Sequence, residues 1–111
     1  MASPHDIEFF ATERGNLPVQ KYLDKLPNVE TAAIFAALED IALNGFDGIT
    51  DTRQIDGKLW EIKVDQQRIF YAVFKPRTVV LLHAYKKQSG KAPVNEIDTA
   101  KKRLSEEQSR R

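Results

Sequence analysis

The spacing of apolar residues changes at Gly57, and that change constrains the fold more than any other feature of the chain. Before it, apolar residues recur with the 3.6-residue period of helices. After it, they alternate with the period of 2 that marks strands. Upstream, Val19, Leu23 and Leu26 fall at i, i+4 and i+7. They follow Asn16-Leu17-Pro18, a helix start in which Asn caps and Pro sits in the first turn, and Pro27 stops them. Asn28 is the next cap, opening a longer helix over Val29–Leu43. Ile34, Leu38 and Ile41 form its stripe, widened by Phe35 and Ala42, and Asn44-Gly45 ends it. Phe46–Gly57 reads as a polar connection.

Beyond Gly57, Trp60, Ile62 and Val64 alternate with Glu61, Lys63 and Asp65. Asp65-Gln66-Gln67 turns the chain into a second strand, Arg68–Phe74, apolar on both sides. Lys75-Pro76-Arg77-Thr78 turns it again, with Pro at its favoured position. The third strand, Thr78–Lys86, has a Val79-Val80-Leu81-Leu82 centre that suits cover on both faces. Trp60 and Tyr71 are expected in the core. A short strand over Ile7–Ala11 precedes the helices. A last helix starts at Pro93 and carries Ile97, Ala100 and Leu104 as a narrow stripe. The order strand, helix, helix, three strands, helix implies an α+β fold. Two N-terminal helices and a C-terminal helix would pack on a mostly antiparallel sheet.

A length of 111 residues fits one domain over 1–111, with the polar tail 105–111 expected to fray. Cysteine is absent, which excludes disulfides, Cys-based metal sites and a Cys nucleophile. No apolar run approaches the roughly 20 residues needed to span a bilayer, and MASPHDIEFF lacks the order of a signal peptide. A cytoplasmic protein without membrane contact is the expectation.

Charge is divided along the chain. Residues 1–57 carry 4 Lys/Arg against 10 Asp/Glu, whereas residues 58–111 carry 13 against 6. A polyanion site built by the second half, or a solvated basic helix at its end, would each produce that split. The chemistry concentrates in LLHAYKKQSGKAP, residues 81–93. Strict alternation places Val79, Leu81, His83 and Tyr85 on one face of the third strand. His83 and Tyr85 are candidates for proton transfer, although a histidine among aliphatic residues is more often a satisfied structural group. Lys86, Lys87 and Lys91 bracket a glycine and could clamp phosphate or simply be solvated. Arg68 suits bidentate phosphate recognition or a salt bridge to Glu61 across the hairpin, and Lys63 could converge on the same region. The chain has no P-loop, no GxGxxG, no GxSxG and no histidine pair for a transition metal. What remains is a metal-free set suited to RNA cleavage. The attacking 2′-OH needs a base, the pentacoordinate phosphate needs cations, and the leaving 5′-oxygen needs an acid.

LWEIKV at 59–64, RIFYAVF at 68–74 and LLHAYKKQSGKAPVNEIDTAKKRL at 81–104 together resemble the RelE/ParE toxin superfamily, and in particular its phage-derived, HigB-like branch. The resemblance implies a RelE-like fold and a type II toxin that cleaves mRNA on the ribosome without metal or other cofactor. It implies that Arg68 stabilises the phosphate, with His83, Tyr85 and Lys87 in the catalytic set. Lys63, Lys86 and Lys91 would then bind the RNA backbone. The implied partners are mRNA on the ribosome and a cognate antitoxin carrying a helix-turn-helix, with DNA reached only through that antitoxin. Two alternatives share the fold: a ParE-like gyrase inhibitor, and a non-toxic prophage-derived binding or regulatory protein.

Overall fold

The computed structural model describes residues 4–88, 90 and 93–111. The elements are β1 (Asp6–Phe9), α1 (Pro18–Asp24), α2 (Asn28–Asn44), a 3-10 turn (Gly45–Asp47), β2 (Asp51–Asp56), β3 (Leu59–Val64), β4 (Gln67–Phe74), β5 (Thr78–Lys86) and α3 (Val94–Arg110). The five strands lie in the order β1-β5-β4-β3-β2. Strands β2 to β5 form an antiparallel meander, and β1 joins its far side parallel to β5, with Asp6 opposite Thr78 and Phe9 opposite Leu81. The fold is α+β and RelE-like.

Both faces of the sheet are covered. Val19 and Leu23 of α1, with Ile34, Leu38 and Ile41 of α2, pack on Ile62, Ile69, Tyr71, Val79 and Leu81. Ala100 and Leu104 of α3, with Phe10, pack on Leu59, Phe70, Ala72, Phe74, Val80 and Leu82. Ile34 and Ile41 have no exposed surface, so each contributes about 2 kcal/mol by leaving water. Cover on both sides explains why β4 and β5 are nearly continuous apolar runs.

Four details depart from the sequence reading. The stretch expected as a polar connection holds β2, an edge strand with Ile55 as its one aliphatic residue. Neither expected asparagine caps its helix: Leu17 occupies that position on α1 and Pro27 on α2, and the Asn16 backbone instead closes a turn with Thr12. Trp60 is 36% exposed and lines a surface pocket with Phe46 and Thr52, whereas Tyr71 is buried. The tail stays helical through Arg110. Arg111 bonds Glu107 at 2.9 Å and Glu8 at 3.1 Å, which ties the end of α3 to β1.

A fifth departure bears on the site. A register shift sets Tyr71 opposite Leu81 but Phe70 opposite His83. One extra residue in β5 breaks the alternation there, as in a β-bulge. Val79 and Leu81 therefore face α1 and α2, while His83 and Tyr85 stack with Phe70 on the α3 face. Leu81 does not share a face with His83 and Tyr85.

Candidate functional site

Past the N-terminal end of α3, two adjacent rungs of the sheet carry polar side chains where other rungs carry aliphatic ones. The first rung runs across four strands as Asp51, Lys63, Arg68 and Tyr85. The second runs as Arg53, Glu61, Phe70 and His83. Period-2 alternation from β2 to β5, corrected by the bulge, brings these residues onto one face.

Glu61 is the hub. It has no exposed surface, yet both carboxylate oxygens are occupied. Oε1 accepts from Arg53 Nε at 2.9 Å, and Oε2 accepts from the Tyr85 hydroxyl at 3.2 Å. Arg68 Nε stands 4.0 Å from the same Oε1. A buried carboxylate survives only with partners of this kind. Arg68 Nη1 donates to the carbonyl oxygens of Asp65 at 2.6 Å and Gln67 at 3.0 Å, so this arginine also braces the β3–β4 turn. Lys63 lies 3.8 Å from Asp51. Burial, reinforced by Glu61, pushes the Tyr85 phenol up to about 12. Tyr85 is therefore a proton donor throughout the neutral range.

His83 is held at both ring nitrogens. Arg103 of α3 can only donate, so Nδ1 accepts its N–H at 3.0 Å. That fixes the tautomer with hydrogen on Nε2, which donates to Glu96 Oε1 at 2.6 Å. Burial lowers the His83 pKa below 6.5 despite Glu96, and Arg103 adds to the lowering. The neutral ring thus anchors α3 to β5.

Two small clefts open beside these rungs. One, of about 240 Å³, is lined by Asp65, Gln66, Arg68 and Lys87. The other, of about 170 Å³, includes Tyr85, Lys87, Pro93, Asn95 and Glu96. Lys87 borders both, and its backbone N–H bonds Gln66. Lys63, Arg68, His83, Tyr85 and Lys87 are thereby brought together. Lys86 borders the second cleft as well, but it pairs with Gln67 and also lines a cavity with Glu30 and Val64 at the α2 side. Lys91 lies outside the described residues. Sequence reasoning missed Arg53, because its strand was not recognised, and took Glu61 only as a salt-bridge partner of Arg68.

Among the described residues no group of His, Asp and Glu side chains is placed to hold a metal ion, and no helix is long and apolar enough to cross a membrane. No curated protein matches the chain. A family model does match it, over residues 21–105, a span that includes every residue of the two rungs. The chain belongs to the family described as Phage derived protein Gp49-like (DUF891).

Proposed function

We propose that the protein is the toxin of a type II toxin–antitoxin pair, a HigB-like member of the RelE group that cleaves mRNA on the ribosome. The observation that carries this reading is the pair of polar rungs. Lys63 and Arg68 share a rung with Tyr85, a phenol that stays protonated at neutral pH, and Lys87 borders the clefts beside it. Cations there stabilise the charge that grows on a phosphate as the 2′-OH attacks. The 2′-OH gives its proton to solvent water as the 2′-O–P bond forms, and Tyr85, on turning its hydroxyl away from Glu61, is the group suited to protonate the 5′-oxygen as the P–O5′ bond breaks. His83, with both nitrogens engaged, serves as the anchor of α3, so the proton-transfer role passes to Tyr85. Family membership supports the RelE-like assignment. A helix-turn-helix antitoxin is the expected partner, silencing the toxin by covering this face.

Expression of the chain without an antitoxin tests the proposal. Growth arrest with new mRNA 5′ ends on translating ribosomes is the expected result. Arg68→Ala and Lys87→Ala, with folding checked by circular dichroism, should each abolish most of the new ends. Arrest with intact mRNA, or equal toxicity of the variants, would overturn it. One observation favours a second reading, a phosphate-binding module without chemistry: Arg68 Nη1 is already engaged by two carbonyl oxygens. Harmless expression of wild type, with RNA binding retained, would select that reading.

A further inference from the structure

Two guanidinium groups approach one oxygen of Glu61, but they differ in what they leave open. Arg68 is 12% exposed, and its Nη1 is held by the carbonyl oxygens of Asp65 and Gln67. Arg53 is 53% exposed, and among the described residues only its Nε has a hydrogen-bond partner. Its terminal amino groups face solvent as the planar fork that matches two oxygens of a phosphate. Glu61 has no exposed surface, so its carboxylate cannot meet a nucleic-acid hydroxyl without a rearrangement. What it does is fix the plane of the Arg53 guanidinium in advance, which removes part of the ordering cost that a long side chain meets on binding. Lys63 stands in the neighbouring rung on the adjacent strand. A polyanion laid along that edge of the sheet would meet the open fork of Arg53 before it met Arg68.

We infer that Arg53 is the primary phosphate-binding group of this face, oriented by Glu61, and that it receives the backbone phosphodiester of single-stranded RNA. The inference rests on reading the face as an RNA interface. It goes beyond that reading by extending the interface onto the edge strand β2, and by making buried Glu61 a positioning residue instead of a proton acceptor.

Anisotropy of a labelled 2′-O-methyl oligoribonucleotide, which cannot undergo 2′-OH attack, tests this on the full chain over a salt series. Arg53→Gln keeps a donor for Glu61 while removing the charge and the fork. It should weaken binding about tenfold and reduce the log–log salt slope by about 0.7, the value for one phosphate contact on a single strand. Arg53→Lys should keep the wild-type slope and show an affinity between the two, which a merely structural role would not produce. If wild type binds and Arg53→Gln matches it in affinity and slope, the inference is wrong and the interface reading survives. If wild type binds no RNA, both fall. Should Arg53→Gln fail to fold, Arg53→Lys decides: affinity equal to wild type overturns the role of the fork.

Discussion

Tyr85 donates its hydroxyl to Glu61 at 3.2 Å, and burial beside that carboxylate pushes its pKa up to about 12. One oxygen atom thus belongs both to the fold and to the chemistry proposed for it, and Tyr85→Phe separates the two. The ring remains to stack on Phe70 and His83, but Glu61 Oε2 is left buried without a donor, so the stability cost is about 2–3 kcal/mol, read from urea denaturation. RNA cleavage should fall about 100-fold, the scale of a lost general acid. Because the phenol titrates far above neutrality, the wild-type rate should show no tyrosine-dependent decline between about pH 7 and 9. A decline there that disappears in Tyr85→Phe would count against the assignment. Residue chemistry made Lys63, Arg68, His83 and Tyr85 legible as candidates in the sequence, although strict alternation set His83 and Tyr85 on the face of Leu81. Glu61 was legible as a polar residue on an alternating strand and as a salt-bridge partner for Arg68, but not as a buried hub. Its complete burial depends on Arg53, Arg68 and Tyr85 closing over it, and those contacts come from three other strands.

Elements show the same limit in a different form. β2 reads DTRQID, with too little apolar character to announce a strand. It is a strand because β3 offers it an edge, and edge strands are kept polar to discourage pairing with other chains. The bulge in β5 has no glycine to mark it, yet it decides which face His83 occupies. From there His83 links β5 to α3 through Glu96 and Arg103, and that link responds to pH. Protonation would set an Nδ1–H against the Arg103 N–H, while Glu96 favours the charged ring; Tyr85, stacked alongside, is neutral. The folded pKa lies below 6.5, so below that pH the unfolded chain binds more protons than the folded one. Stability should therefore fall as pH drops from 6.5 through the folded value. Asp40 and Asp56 also titrate low in the fold, but their window begins below 3.8 and does not overlap. Hydrogen exchange should show amides of α3 near Glu96 opening faster at about pH 5.5 than at pH 7. His83→Gln should flatten the stability slope in that window, and an unchanged slope would show that the ring does not carry it.

For the molecule as a whole, the contrast between an acidic first half and a basic second half overstates the positive charge available to a ligand. Much of the second half's charge is paired within the fold. Lys101 bonds Asp56 at 2.8 Å, Arg103 serves His83 and the Leu82 carbonyl, and Arg111 bonds Glu107 and Glu8. Arg110 lies over the Phe10 ring and Lys58 over that of Phe74. The cations gathered around the polar rungs that keep donors open are fewer: Lys63, 3.8 Å from Asp51, Lys87, and Arg53 through the fork left beyond its Nε bond to Glu61, whereas Arg68 is 12% exposed and its Nη1 is taken by two carbonyl oxygens. Counterion release scales with phosphates neutralised, not with formal charge. Three contacts on a single strand predict a log–log slope of RNA affinity against salt of about −2, whereas a ligand tracking the basic helix α3 as well would roughly double it. Substitutions can separate those cases. Lys87→Gln should reduce the slope by about 0.7, while Lys101→Gln and Arg110→Gln should leave it at the wild-type value. Anisotropy titrations from low to physiological salt would measure this. A steep slope that Lys101→Gln and Arg110→Gln also reduce would move the interface from the polar rungs to α3, because charges paired within the fold would then be releasing their partners to bind phosphate.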